Sequence, residues 1–211
     1  MFTFSASGTT CPPMIIYPYK RIPEKIAVTV NSNWGIGRSD NGWMTSETFF
    51  DYIKNIFYPY LIENNVEFPV VLFLDGHKSH LTYELSLLCN DLNIEVISLY
   101  PNATRILQPC DVAVFRPIKM GWKKAVKEFY EANPGHILNK ITFAPLLEKV
   151  VTEVIRPETL INGFRACGIF PFKPDAVDYS KCLGKNNTLV EVGIIDNFPT
   201  RILIYLLLFF R

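Results

Sequence analysis

The sequence lacks the cysteine pattern of a disulfide framework or of a structural zinc site. It has five cysteines, an odd number, and they are widely spaced with no Cys-x-x-Cys pair among them. Such a pattern favours a reducing compartment, the cytosol or the nucleus, over a secreted location. The chain also opens without a basic stretch followed by an apolar one, so we expect no secretory signal.

An excess of charge of one sign and long apolar runs are missing as well. The formal net charge is +1, so any affinity for nucleic acid has to come from local basic patches. The apolar run at residues 202–210 falls well short of the roughly 20 residues that a membrane-spanning helix needs. The short apolar run predicts that the chain has no membrane partner.

What the sequence does contain is enough apolar material for one well-buried domain. Its 211 residues are 49% hydrophobic and 14% aromatic, which excludes disorder throughout the chain. The composition changes from Gly184 onward. We therefore predict a folded domain at residues 1–183 and a disordered or loosely docked tail at residues 184–211.

The centre of the domain is predicted at an apolar run, residues 70–74, that leads directly into Asp75. A run of this length without alternation is typical of a strand covered on both faces. The pair Asp75-Gly76 is compatible with a hairpin turn. Leucines at helical spacing favour a strand, a turn and a helix instead, and a second strand is predicted at residues 94–99. Those leucines are Leu81, Leu85, Leu88 and Leu92.

A second acid, Asp111, follows in the segment Gln108-Pro109-Cys110-Asp111. About 35 residues separate it from Asp75, which is enough for one helix and one parallel strand. Two carboxylates at neighbouring strand and loop ends can share divalent cations that clamp a phosphodiester. The simpler interpretation is that Asp75 is a turn residue and that Asp111 caps the next helix.

The segment from Val114 onward predicts an amphipathic helix with Pro117 in its first turn. At about 100° per residue, one apolar stripe contains Phe115, Ile118, Trp122, Val126 and Phe129. A basic stripe beside it contains Arg116, Lys119, Lys123 and Lys127. A basic stripe is usually the solvated face of a helix. Beside a candidate metal site, it also fits a track for a phosphate backbone.

The turn after the central strand holds three further polar candidates. His77 and His80 are three residues apart and are compatible with a shared metal ion, but a structural zinc site normally needs four ligands. Hydrogen bonding or phosphate contact is the preferred interpretation for both. Lys78 either contacts a phosphate or faces water.

The rest of the chain predicts elements that surround this centre. Strands are predicted at residues 1–7, 14–17 and 26–30, a loop at 31–42, and helices at 46–58, 142–156 and 158–168. Trp34 and Trp43, both in the predicted loop, are interpreted as lids on the core or as platforms for a nucleobase.

Two motifs in this order resemble the catalytic region of the pogo, Tigger and jerky-type transposases and their centromere-protein-B-like relatives, the DDE-1 endonuclease superfamily. They are Leu74-Asp75-Gly76-His77-Lys78-Ser79-His80 and Leu107-Gln108-Pro109-Cys110-Asp111 with its continuation to Lys119. The resemblance extends to Cys11-Pro12-Pro13-Met14, Gly42-Trp43-Met44 and the segment Phe164 to Phe172. It spans roughly residues 2–183.

The resemblance implies an α/β fold of ribonuclease-H type, with a mixed sheet flanked by helices and a helical C-terminal part. Asp75 and Asp111 match the second and third acids of a triad that binds Mg²⁺ or Mn²⁺, with His77, His80 and Gln108 in supporting roles. The first acid lies on the opening strand in related proteins, and we expect that strand to be missing from an N-terminally truncated chain. Asp40 and Asp51 do not stand in the matching place.

Three functional hypotheses follow. The first is a transposase-derived endonuclease that cleaves DNA with a divalent cation. The second is a non-catalytic module that holds DNA or a protein partner through the basic stripe, and the third is a fragment that does not fold stably. DNA is the predicted partner, the nucleus the predicted location, and self-association is left open.

Overall fold

A computed structural model describes residues 1–75, 82–100, 103–181 and 203–208 of the chain. The strands are β1 (Phe2–Ser5), β2 (Met14–Pro18), β3 (Gly35–Ser39), β4 (Val70–Leu74), β5 (Ile94–Ser98) and β6 (Leu203–Leu208). The helices are α1 (Glu24–Ala27), α2 (Ser46–Tyr52), α3 (Tyr58–Glu63), α4 (Tyr83–Asp91), α5 (Thr104–Leu107), α6 (Phe115–Ala132), α7 (Lys140–Val154) and α8 (Pro157–Ala166). Two π-helical turns, Ile53–Phe57 and Cys110–Val114, and two 3₁₀ turns, Pro174–Ala176 and Tyr179–Lys181, complete the described elements.

The main sheet has the strand order β1-β6-β4-β5. Strand β4 is parallel to both of its neighbours, and β6 is antiparallel to β1. The predicted central strand is therefore confirmed, as is the unit of strand, helix and parallel strand that β4, α4 and β5 form. A hairpin at Asp75 is excluded because the two strands run in the same direction. The mixed α/β class predicted from the sequence is confirmed.

Helices cover both faces of this sheet. Val70, Leu72 and Leu74 pack into one apolar cluster with side chains of α2 and α4. Phe73, on the other face of β4, packs into a second cluster with β1 and with α6, α7 and α8. The near-continuous apolar sequence of β4 is explained by burial on both sides.

A separate two-stranded sheet corrects two sequence predictions. Residues 26–30 were predicted as a strand, but the helix α1 begins directly after Pro23 and reaches into this segment. Residues 31–42 were predicted as a loop, yet β3 lies within them and pairs with β2 in parallel. Two of the glycines that suggested a loop, Gly35 and Gly37, are strand positions crowded by other side chains, since a Cβ at Gly35 would collide with Cδ1 of Ile56.

The helix predicted at residues 46–58 begins as expected and ends later than expected. Thr45 caps it through a capping box with Thr48. The helical run continues through a π-turn and α3 to Glu63, past Pro59, which was predicted to end it. A π-turn widens the hydrogen-bond pattern just before the proline, where the missing N–H and the ring would otherwise disrupt the helix.

Strand β6 lies inside the segment predicted to be a disordered or loosely docked tail. Residues 205–208 pair with β1 on one side and residues 203–206 pair with β4 on the other, so for these six residues the prediction is wrong. The sequence Leu-Ile-Tyr-Leu-Leu-Leu suits a strand that is enclosed between two others. The domain boundary at residue 183 stays a prediction.

Candidate functional site

Asp75 lies where the sequence placed it, directly after the last residue of β4. Its side chain is half-buried at the edge of the sheet. The N–H of Leu99 donates a hydrogen bond of 2.8 Å to the carbonyl of Leu74, which holds the end of β4 against the residue after β5. Because β4 is paired with β5 on one side and with β6 on the other, the backbone that carries Asp75 is held rigidly.

Asp111 lies in the first turn of the π-helical segment Cys110–Val114, just before α6. It does not cap a helix, because neither this turn nor α6 has a side-chain cap. Partial burial raises the pKa of the Asp111 carboxyl, the charge of Lys119 lowers it, and the charge of Asp75 raises it. The two carboxylates therefore act on each other electrostatically, although about 35 residues lie between them in the chain.

Three of the four residues in the basic stripe surround one pocket together with Asp111. The pocket has a volume of about 310 Å³, and Arg116, Lys119 and Lys123 contribute its charged wall. Phe115 and Met120 complete the lining. A carboxylate and three cations around one pocket make a surface that attracts a phosphate group and keeps an acid close to it.

The fourth basic residue, Lys127, belongs to a different neighbourhood. Its Nζ lies 3.6 Å from Oε1 of Glu131, one helical turn further on. Glu128 in turn pairs with Lys124 and with Lys149 of α7. The sequence-predicted stripe thus divides into a pocket-lining part near Asp111 and an ion-paired part near the end of α6.

The remaining predicted site residues are less informative. His77, Lys78 and His80 lie outside the described residues. Gln108 is only 5% exposed, and its carbonyl accepts a hydrogen bond of 3.0 Å from the N–H of Val112. Gln108 is therefore part of the buried base on which the Asp111 turn rests.

Helix α8 supports the Asp111 turn from behind, which the sequence analysis did not predict. A Cβ added at Gly163 would lie 2.9 Å from the carbonyl oxygen of Pro109 and 3.2 Å from Cβ of Ala113. The absence of a side chain lets α8 approach the backbone that carries Asp111. A lone glycine within an apolar helical pattern is the signal that points to such a close contact.

Gly163→Val is expected to destabilise the protein and to displace the Asp111 turn. Three added carbons have no room against Pro109, and overpacking of this kind costs about 1–3 kcal/mol. Urea unfolding would measure the loss, with Ala166→Val as the control because Ala166 is exposed on the same helix. Equal stability of the two variants would contradict the close packing of α8.

The family model described as DDE superfamily endonuclease matches residues 2–154, which is more than half of the chain. The chain belongs to the DDE superfamily endonucleases. Both carboxylates, the central strand and the basic helix α6 lie inside the matched segment of this DDE domain, whereas α8 and β6 lie beyond it.

One similar protein is named as a transporter. A protein of Cochliobolus lunatus, named MFS-type transporter clz9, is 26% identical over 174 residues, which cover 82% of this chain and 19% of that protein. The chain thus spans about a fifth of that relative's length. Within the described ranges, no helix is long and apolar enough to cross a membrane. No solved structure matches the chain significantly.

Proposed function

We propose that this chain is a transposase-derived DDE-type domain that binds DNA along α6 and brings a phosphodiester to Asp75 and Asp111. One observation supports this most directly: Asp111 shares a pocket with Arg116, Lys119 and Lys123. Lys119 and Lys123 are one helical turn, about 6 Å, apart. That spacing lets two cations contact the phosphate backbone of one strand.

The same proposal has three further parts. They are a ribonuclease-H-like arrangement, relatedness to the pogo, Tigger and jerky-type transposases, and a nuclear location. The first is supported by the parallel strands β4 and β5, with an acid after β4 and a second acid before α6. The second is supported by the two sequence motifs around Asp75 and Asp111. The third is supported by the proposed DNA partner and by the wide spacing of the cysteines without a Cys-x-x-Cys pair, a pattern that favours a reducing compartment.

Mg²⁺ or Mn²⁺ fits the pair Asp75 and Asp111. Hard cations take carboxylate oxygens as ligands, and the charge of Asp75 already disfavours ionisation of Asp111, a repulsion that a bound cation would relieve. When bound, such cations stabilise negative charge on the attacking and leaving oxygens of a phosphodiester. The role of the α6 cations is to hold the DNA backbone in place beside this pair.

A second candidate function is DNA binding without cleavage. Within the described part of the chain, no group of three or more His, Cys, Asp or Glu side chains is placed to hold a metal ion. Two carboxylates alone bind a cation more weakly than a triad. The same basic pocket would then serve only to hold DNA.

Lys119→Glu and Lys123→Glu are each expected to weaken DNA binding and to flatten its dependence on salt. Each lost phosphate contact lowers the slope of log K against log salt concentration by roughly 0.9 for duplex DNA. A fluorescence-anisotropy titration at several salt concentrations measures both effects. Lys54→Glu, the same charge change on an exposed helical lysine elsewhere, is the matched control.

The two candidate functions are separated by a nicking assay on supercoiled plasmid with Mg²⁺ or Mn²⁺. Metal-dependent nicking that the α6 variants reduce supports the endonuclease. Salt-sensitive binding without nicking supports the non-catalytic module. If the wild-type protein does not bind DNA, or if Lys54→Glu weakens binding as much as Lys119→Glu, the proposal is wrong.

A further inference from the structure

A second pocket also borders α6, and all three tryptophans of the chain line it. Its volume is about 240 Å³, and it lies between the two-stranded sheet and the helices α6 and α7. Trp34 and Trp43 come from the loops around β3, and Trp122 comes from α6. The side chains that line it are all uncharged; they include Met14, Ile16 and Ile118.

The walls of this tryptophan pocket are held in place before any ligand arrives. Trp122 packs edge-on against Phe143 of α7, with 5.3 Å between the ring centroids. The loop that carries Trp34 is tied to α7 by a hydrogen bond of 2.5 Å from Nδ2 of Asn31 to Oε1 of Glu148. A pocket fixed by neighbouring elements loses little freedom when it is filled.

Trp43 stands at the mouth of the pocket, and 51% of it is exposed. Its backbone N–H donates a hydrogen bond of 3.1 Å to Oδ1 of Asn41, which fixes the turn that presents the indole. A large aromatic ring at an open edge, next to an apolar interior, suits a planar ligand that enters with one face against the ring.

The tryptophan pocket is adjacent to the basic pocket around the circumference of α6. Trp122 and Lys119 are about 60° apart on the helix, and Trp122 and Lys123 about 100°. A helix with its side chains is only about 10–12 Å wide. A strand whose phosphates contact these lysines therefore has its bases within reach of the tryptophan pocket.

We propose that the tryptophan pocket binds an unstacked nucleobase of a DNA strand whose backbone lies on the basic face of α6. This inference rests on the proposed function. A cationic track beside aromatic platforms is the usual arrangement for binding single strands. The pocket is smaller than the roughly 300–1,000 Å³ of drug-sized sites, so it suits one planar ring system. Its apolar lining favours the planar base over the charged phosphate. Its position beside the α6 lysines favours a base that is attached to a nucleic-acid backbone.

The test compares two single-stranded oligonucleotides of equal length and charge, a 12-mer of thymidine and the same backbone without bases. Because all three tryptophans line the pocket, intrinsic tryptophan fluorescence reports directly on its occupancy. We expect the thymidine strand to quench this fluorescence and to bind about 5- to 150-fold tighter than the abasic strand, the effect of one stacked base. Trp43→Ala is expected to remove that difference while leaving the affinity for the abasic strand unchanged.

Tyr83→Ala is the control, because Tyr83 is an aromatic residue that is 74% exposed and lies outside the pocket. It should retain the preference for the thymidine strand. Equal affinity of the wild-type protein for both strands would overturn the base pocket and leave the backbone track intact. A Trp43→Ala variant that weakens both strands equally would also overturn it. If neither single strand binds while duplex DNA does, this inference fails and the proposed function stands; if duplex DNA does not bind either, both fail.

Discussion

A chain in which Asp111 is replaced by asparagine is expected to lose metal-dependent nicking of supercoiled DNA by roughly 10²–10⁴-fold. Asparagine keeps the size of the side chain but removes the negative charge that holds a cation. The cation supplies several kcal/mol of transition-state stabilisation, and each 1.36 kcal/mol is tenfold in rate. Asp75→Asn is expected to have the same effect. The double variant should be little worse than either single one, because the two residues act as a unit.

Asp40→Asn and Asp51→Asn are the controls for this prediction. Both residues are exposed acids in the family-matched segment, and neither lies near α6 in sequence. They should nick DNA at the wild-type rate. Nicking that survives in both Asp75→Asn and Asp111→Asn would show that the reaction takes place elsewhere.

The proximity of the two acids has a readout that does not depend on activity. Since the charge of Asp75 raises the pKa of Asp111, Asp75→Asn should lower the pKa of Asp111 in an NMR titration. The sign for cation binding follows from the same shift. Binding needs the ionised carboxylate, so affinity for Mg²⁺ should fall as the pH drops through the raised pKa of Asp111. If the pKa of Asp111 is the same in Asp75→Asn as in the wild-type protein, the two carboxylates do not lie close together.

The parts of this site that the sequence predicted are those that local patterns determine. The apolar run of β4 is typical of a strand buried on both faces, and this predicts the position of Asp75 at its end. Apolar and basic residues at helical spacing likewise fix the faces of α6. Each of these signals lies within one element and needs no knowledge of its neighbours.

The parts that the sequence did not predict depend on contacts between distant segments. Gly163 signals a close contact of α8, but nothing local identifies the Pro109 carbonyl as its partner, because the contact requires α8 to fold back onto the turn before α6. The glycines of β3 looked like loop residues for the same reason: the space beside Gly35 is filled by Ile56, on the helical run after β3, and the space beside Gly37 by Met14 of β2. Strand β6 is the extreme case, since both of its partners lie far away in the sequence.

The second large effect is expected from a proline in the middle of β6. Leu206→Pro should abolish cooperative unfolding or lower the unfolding free energy by at least about 2 kcal/mol. In β1, the backbone groups of Thr3 and Ser5 bond to residues 9–11, so those of Phe4 point toward its partner Leu206. A proline at 206 has no N–H for the Phe4 carbonyl, and an unpaired buried acceptor costs about 1–3 kcal/mol. This is a large share of a total stability of about 5–15 kcal/mol.

Leu206→Ala separates the lost strand pairing from the lost leucine side chain. It removes most of the side chain but keeps the backbone N–H, so it should be clearly more stable than Leu206→Pro in thermal and urea unfolding. Equal stability of wild type and Leu206→Pro would mean that β6 does not pair within the sheet in solution.

A disulfide tests the register of β6 directly. Ser5 and Tyr205 are opposite each other in the antiparallel pair, and Ser5 bonds to Thr9 on its other side. They therefore form a pair without mutual hydrogen bonds, with Cα atoms about 4.5 Å apart, which lies within the range for a disulfide. Ser5→Cys combined with Tyr205→Cys should cross-link within one chain, and Ser5→Cys with Leu206→Cys should not. A cross-link that joins two chains instead would mean that β6 is exchanged between two copies. In that case a β6 strand would still lie between β1 and β4, and its sequence would still offer no carboxylate at that position in the sheet.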